Sequence, residues 1–210
     1  MKKLRAGYKI KAPPSEGSFI DRILLYLLYR GGNATSARQA LKTLHEEYVD
    51  LNEIRVAGLA ELGTTLEQCR IPLSAAPLIR RFLRQTFADR GTFNLDFLAD
   101  LSADQMRRYL IRTESLPSDA ISYLIASQCG APALPVEENT LRVAKRLSLV
   151  SHDSDAARCE QVLKRNIPKK NYLEFYLLVL EHGKKVCGPK PLCGRCVLAP
   201  ECQSSAKTAS

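Results

Sequence analysis

No uninterrupted apolar run in this sequence approaches the ~18 residues that a membrane span requires. No apolar core of a secretory signal follows Met1 either. The two absences exclude a membrane partner and point to a reduced, cytoplasmic chain, associated with the nucleoid if the source is bacterial. Alternating apolar–polar strands and Asn-Gly hairpins are missing as well, as are internal repeats and low-complexity tracts. What is left is helix. Acid is in short supply: 22 Asp and Glu face 31 Lys and Arg, leaving +9 on 210 residues. That charge favours a polyanion. No strongly amphipathic, lysine-rich helix is present to lie on a membrane, so nucleic acid is the expected partner. A hydrophobic content of 45% and a charged content of 25% are ordinary globular values, enough for one large domain or two small ones.

The first sixteen residues, "MKKLRAGYKIKAPPSE", read as a basic arm. Lys2, Lys3, Arg5, Lys9 and Lys11 precede any acid, and Pro13-Pro14 blocks a helix. From Ser18 the pattern is helical almost throughout, in roughly ten short helices. "SFIDRILLYLLYRGG" is an apolar helix stopped at Gly31-Gly32, and "TSARQALKTLHEEYV" follows it. "DLNEIRVAGLAELG" reads as one helix, with Asp50 and Glu53 in capping-box spacing and a stop at Gly63. "SADQMRRYLIR" carries a second box, Ser102 with Gln105. The fold class is all-α.

Seven cysteines are present, and four of them fall within "CGPKPLCGRCVLAPEC" at spacings of five, two and five residues. In a reduced chain such a group binds metal more often than it forms disulfides. Four thiolates suit tetrahedral zinc and equally a 4Fe–4S cluster with one cysteine per iron. Here the single Cys193–Cys196 pair is flanked by Cys187 and Cys202, so one loop wraps the site. Spacing alone leaves the two metals open. Cys69, Cys129 and Cys159 lie in helical patterns as small core residues.

The stretch from Ile111 to Val150, followed by "HGKKVCGPKPLCGRCVLAPEC", resembles the endonuclease III branch of the helix-hairpin-helix DNA glycosylases. "GAPALPVEENTLRVAKRLSLV" is similar to the family's Pro-Val-Asp segment and the Arg-Val helix after it. "EHGKKVC" is similar to its His-Gly-basic lead into the first cluster cysteine, and the four cysteines follow with a first gap of five residues rather than six. The likeness implies a six-helix barrel over 18–136, with the helix-hairpin-helix near 103–130. It also implies a cluster domain over 137–203 and DNA lying between the two lobes, while the residues themselves read as a basic arm at 1–17 and a disordered tail at 204–210. It implies a 4Fe–4S cluster on Cys187, Cys193, Cys196 and Cys202, with zinc as the alternative. The expected partner is lesion-bearing double-stranded DNA, bound by a monomer that flips out the damaged base.

Departures from the family fall where chemistry is expected. Its Gly-hydrophobic-Gly hairpin is replaced by Ser115, Leu116 and Pro117, followed by Ser118, and Pro117 lacks the N–H that a phosphate would take. The position of the catalytic lysine in bifunctional relatives carries Asp119, or Ser122 if the alignment is shifted by three residues. Neither is an amine, so neither forms a Schiff base. Glu137 falls at the family's catalytic aspartate, where a carboxylate stabilises a cationic sugar or activates water. It equally suits a helix N-terminus. The wedge glutamine is replaced by Gly31 or Gly32, with Tyr29, Arg30 and Asn33 as neighbouring substitutes. Phosphate contact is expected from Arg142, Lys184, Lys185, Lys190 and Arg195, with Lys145 and Arg146 beside Arg142 on its helix face. Two functions follow: a monofunctional DNA N-glycosylase using Glu137 and Asp119, or a DNA-binding protein that keeps the fold and cluster without the chemistry. A zinc-stabilised regulator, holding zinc without sulfide, is a third class.

Overall fold

A computed structural model describes residues 1–10 and 17–205. Lys11, Pro13 and Pro14 of the expected arm lie outside the described residues, as does the end of the expected tail. The described residues form eleven α-helices and no strand, and fall into two compact units. One, the barrel unit, ends at Ala131; the other combines Met1–Ile10 with the chain from Pro132 onward. The division thus comes at 131/132, five residues before the boundary that the sequence suggested.

In the barrel unit, α2 (Phe19–Gly31) is the central element. Ser18 caps it by accepting from the Asp21 N–H, and nine of its side chains are buried, including Ile23, Leu24, Tyr26 and Leu28. A helix apolar on all sides needs neighbours around it, and α2 packs against α3 (Ala34–Glu47), α6 (Ala75–Arg90) and α8 (Ser118–Gln128). Each buried Leu or Ile contributes about 1.5–3 kcal/mol. Gly32 is the C-cap, donating its N–H to the Leu28 carbonyl, and packs closely: a Cβ there would sit 2.4 Å from Ile71 Cδ1 and 2.6 Å from Ser36 Oγ. The Ser102–Gln105 capping box forms as expected at the start of α7 (Ala103–Arg112), and α7 packs on α8.

The segment 50–63 is not one helix. It divides into α4 (Leu51–Val56) and α5 (Leu59–Gln68), with Ala57 extended between them. Two arginines of α6 favour the break, because Arg80 donates to the Ala57 carbonyl and Arg84 to the Arg55 carbonyl. Carbonyls at a helix end need such partners. Gly63 lies inside α5, where a Cβ would come 2.6 Å from Leu73 Cδ2. Asp50 does accept from the Glu53 N–H, but the Glu53 carboxylate turns to the Val49 N–H, so the box is not reciprocal.

The second unit contains α9 (Glu138–Arg146), α10 (Ala156–Asn166) and α11 (Tyr172–Lys185), followed by the cysteine loop with 3-10 turns at Cys193–Arg195 and Ala199–Glu201. Its first element corrects the expectation of an arm. Lys2–Gly7 is helix α1, docked on α11. Leu4 is buried, Arg5 pairs with Glu174 through two hydrogen bonds of 2.7 and 2.6 Å, and Lys3 pairs with Glu201. These partners are more than 160 residues away in sequence, which is why a run of lysines read locally as solvated chain. Ser204 and Ser205 also differ from the expected tail: Ser204 donates to the Arg146 carbonyl, and Ser205 to the carbonyls of Ala199 and Cys202.

Candidate functional site

At the end of α11, the N–H groups of Val186 and Cys187 both donate to the His182 carbonyl, which turns the chain and delivers Cys187 inward. The 3-10 turns then place Cys193, Cys196 and Cys202. All four cysteines line one cavity of about 290 Å³, together with Val143, Arg146, Leu147, His182 and Leu198. None of them is in a disulfide. The sulfurs meet donors at the cavity wall: Arg146 Nη1 lies 3.3 Å from Cys187 Sγ, and the Leu198 N–H lies 3.4 Å from Cys196 Sγ. Burial, reinforced by the neighbouring charges of Cys187, Cys202 and Cys193, pushes the Cys196 thiol up, against the pull of the Leu198 N–H. Four thiolates crowded in one cavity call for positive charge between them. Among the described residues, no three His, Cys, Asp or Glu side chains are grouped closely enough to hold a single metal ion. Cys69 and Cys159 are core residues as expected, and burial pushes the Cys159 thiol up to about 11; Cys129 is half-buried.

His182 is the residue that sequence reasoning passed over. It is 1% exposed, its Nδ1 lies 2.7 Å from the Tyr8 hydroxyl, and its Nε2 lies 3.7 Å from Cys196 Sγ. Burial holds its imidazole below the usual histidine range. The signal available was its place five residues before Cys187, in "EHGKKVC". Gly183 beside it is required by packing, since a Cβ would come 2.7 Å from Asn139 Cβ.

Glu137 is the N-cap of α9. Its Oε2 accepts from the Asn139 N–H at 2.7 Å and from Asn139 Nδ2 at 2.8 Å; its Oε1 accepts from the Thr140 N–H at 2.8 Å and from Thr140 Oγ1 at 3.0 Å. At 7% exposure this is a carboxylate held by four donors at the positive end of a helix.

The turn between α7 and α8 places Ser115 and Leu116 inside, Pro117 half-buried as the N-cap of α8, and Ser118 exposed. Its left-handed residue is Glu114, φ +48°, one position before the aligned Ser115. Arg81 secures the turn by donating twice to the Ser115 carbonyl, at 3.3 and 3.2 Å. Asp119 is 5% exposed and meets Arg30 in a bidentate pair, with Tyr26 donating to Oδ2 at 2.9 Å. Tyr26 is itself fixed by stacking on Tyr123 at 4.1 Å between centroids. Ser122 is also buried. Asp119 belongs to the barrel unit and Glu137 to the other.

The cationic residues divide by what they touch. Arg142 donates to the carbonyls of Cys187 and Gly183 and to Asn139 Oδ1, and its side chain is 18% exposed. It is built into the loop, contrary to the expectation of a phosphate ligand on an open helix face. Arg146 acts likewise on the carbonyls of Cys187, Gly188 and Pro189. Lys190 and Arg195 are exposed on the loop, Lys185 is exposed and paired with Glu181 at 2.8 Å, and Lys184 is half-buried.

One all-helical unit ends in a helix–turn–helix and the other carries a loop that gathers four cysteines, features in keeping with the endonuclease III fold. The chain is similar in sequence to endonuclease III and DNA glycosylase relatives and shares the endonuclease III fold. It is 22% identical to endonuclease III of Sulfolobus acidocaldarius over 213 residues, covering 96% of this chain and 92% of the relative. It is 24% identical over 192 residues to the DNA glycosylase/AP lyase ROS1 of Arabidopsis thaliana, covering 83% of this chain but 13% of that much longer protein. The solved structure of a non-covalent endonuclease III–DNA complex matches with a TM-score of 0.71 at 18% identity, over 99% of this chain and 94% of the other. No family model matches. Among the described residues, no helix is long and apolar enough to cross a membrane.

Proposed function

We propose that this chain is a DNA-repair protein that binds lesion-bearing duplex DNA and releases a damaged or mismatched base by hydrolysing its N-glycosyl bond, without Lys-dependent strand cleavage. The carrying observation is the pair of carboxylates. Glu137 stands at the N-terminus of α9, in the segment that resembles the family's Pro-Val-Asp. Asp119, which replaces the lysine, is engaged by Arg30 and Tyr26. A carboxylate cannot condense with the sugar aldehyde, so the lyase route has no nucleophile at this position. Glu137, acceptor to four donors, is the group placed to favour positive charge on the sugar. Asp119 serves instead to hold Arg30.

Cys187, Cys193, Cys196 and Cys202 are the residues that would hold a 4Fe–4S cluster. Four sulfurs set around a cavity suit a group that brings its own irons and sulfides to each thiolate. A single zinc ion needs all four sulfurs within about 2.3 Å of one point. The bound group would supply positive charge and fix the loop, so that Lys190 and Arg195 face phosphate. In this reading the protein acts as a monomer.

The second reading, a DNA-binding protein without chemistry, is favoured by the complete use of Glu137 as a helix cap. A panel of duplexes with single lesions, assayed separately for base release and for strand breaks, decides between them. The expected result is base release that leaves an alkali-labile abasic site, with no adduct trapped by borohydride. A trapped adduct sinks the monofunctional assignment, and binding without release from any lesion selects the second reading.

A further inference from the structure

We propose that His182 donates a hydrogen bond from Nε2 to the Cys196 sulfur and that Tyr8, carried on the N-terminal segment, holds it in that role. The proposal rests on the cluster reading above and adds a residue that tunes the cluster from outside its ligand set. Three observations meet here. The Tyr8 hydroxyl and His182 Nδ1 are 2.7 Å apart, with the two rings edge-to-face at 5.7 Å between centroids. His182 Nε2 faces Cys196 Sγ at 3.7 Å, inside the range of N–H···S contacts. His182 is 1% exposed, so both nitrogens are shielded from bulk water.

The proton positions follow from electrostatics. A phenol donating to Nδ1 leaves Nε2 as the protonated nitrogen, and its N–H points at the thiolate. The opposite tautomer would set the Nε2 lone pair against the sulfur lone pairs in a buried space, with no donor between them. Tyr8 keeps its proton, because burial raises its phenol to about 12. Tyr8 is in turn placed by α1, which Leu4, the Arg5–Glu174 pair and the Lys3–Glu201 pair dock on its unit. The N-terminus therefore reaches a cysteine almost two hundred residues away through a relay of two side chains. Hydrogen bonds to the sulfurs stabilise the more negative, reduced form of a cluster and so raise its reduction potential. Arg146 at Cys187 and the Leu198 N–H at Cys196 act in the same direction.

The test uses the full chain, purified anaerobically, with iron and sulfide counted first. Potentials are then read by protein-film voltammetry for wild type, Tyr8→Phe, His182→Asn and His182→Gln. The Asn amide can keep the contact to Tyr8 but has nothing at the Nε2 position; the Gln amide reaches that position and can donate to the sulfur. His182→Asn shifts the potential negative, Tyr8→Phe shifts it negative by less, and His182→Gln stays near wild type. In wild type labelled with 15N-histidine, pulsed EPR of the paramagnetic cluster shows a weak nitrogen coupling that His182→Gln removes. The chain has three histidines, and among those lining the cavity only His182 is found. Unchanged potentials in fully loaded Tyr8→Phe and His182→Asn, equal shifts in Asn and Gln, or no coupling in labelled wild type overturn the relay. Wild type without iron and sulfide overturns the cluster reading itself, a separate result.

Discussion

Arg30 grips Asp119 with two hydrogen bonds, Nε to Oδ2 at 2.6 Å and Nη2 to Oδ1 at 3.1 Å, across 89 residues of sequence. The pair links the end of α2 to the first turn of α8. Removing one partner strands the other charge. Asp119→Ala is expected to lower the unfolding free energy by about 3 kcal/mol, the low end for buried pairs, because Arg30 remains a quarter exposed. The double variant Arg30→Met/Asp119→Leu recovers most of that loss. Urea melts of wild type, Arg30→Met, Asp119→Leu and the double variant give the coupling, and strictly additive changes would show that the two charges do not depend on each other.

Glu137 has a structural role that any catalytic test must separate from chemistry. Glu137→Gln places an amide N–H₂ against backbone N–H donors and is expected to cost about 1 kcal/mol, the usual value of an N-cap. If the carboxylate also acts on the sugar, base release falls by about a hundredfold or more in protein that is still folded. Thermal melts and single-turnover release on the same samples distinguish the two. A fall in release no larger than the unfolded fraction means the residue is a cap alone.

The basic residues are predicted to behave in two groups. Lys190→Ala and Arg195→Ala each make the slope of log affinity against log salt shallower by about 0.9, equally for all duplex sequences. Arg142→Ala instead lowers stability and loosens the cysteine loop, since it removes hydrogen bonds to Cys187, Gly183 and Asn139. Salt titrations of binding beside melting curves separate the groups. An Arg142→Ala protein with wild-type stability and a shallower slope would reverse this assignment.

Docking of α1 carries a pH dependence. Hydrogen bonding from Arg5 holds the Glu174 carboxyl below its usual range. A carboxyl depressed in the folded state contributes stability above its unfolded value, about 4.3, and loses it as pH falls through the folded value. The pair is exposed, so the effect is small. Protection of the α1 amides, measured against their intrinsic exchange rates, is expected to fall below about pH 4 in wild type, and Glu174→Gln should show the lower protection at neutral pH too. Protection that is independent of pH and equal in both proteins would mean that the Arg5–Glu174 pair does not hold the helix.

The cysteine loop gives the plainest measurement. Anaerobic protein is expected to be brown, with about four irons and four sulfides per chain. Cys196→Ser should lose colour and DNA affinity together, because the loop that carries Lys190 and Arg195 loses its frame. Stoichiometric zinc without sulfide would assign the site to the other metal.

Local patterns announced themselves in the sequence wherever the deciding partner is near in the chain. Ser102 and Gln105 form their box three residues apart, α2 shows its buried faces in "FIDRILLYLLY", and the four cysteines gather within one loop. What was not visible depends on distant partners. The break between α4 and α5 is supported by arginines on α6, and α1 owes its helix to Glu174, His182 and Glu201. Arg142 sits on a helix face that looks solvated by periodicity, yet the loop folds over it. At the candidate catalytic positions, the sequence supplied residue types but not engagements. That Asp119 belongs to Arg30 and Tyr26 follows only once α2 and α8 are packed together.

The docking of α1 also bears on how the chain is made. Residues 1–10 and the chain from Pro132 onward form one compact unit, so the barrel unit is inserted between two parts of its neighbour. On a ribosome the insert emerges whole and can fold early, while α1, synthesised ahead of it, has no surface to dock on until Tyr172–Lys185 and Glu201 have appeared. At ~5–20 residues per second that wait is roughly 10 to 40 s. Until then the undocked six-residue segment, too short to hold a helix alone, spends its time with Leu4 exposed, and a bulky affinity tag fused ahead of it would prolong that state. Yield of correctly loaded protein should therefore depend on which end of the chain is tagged.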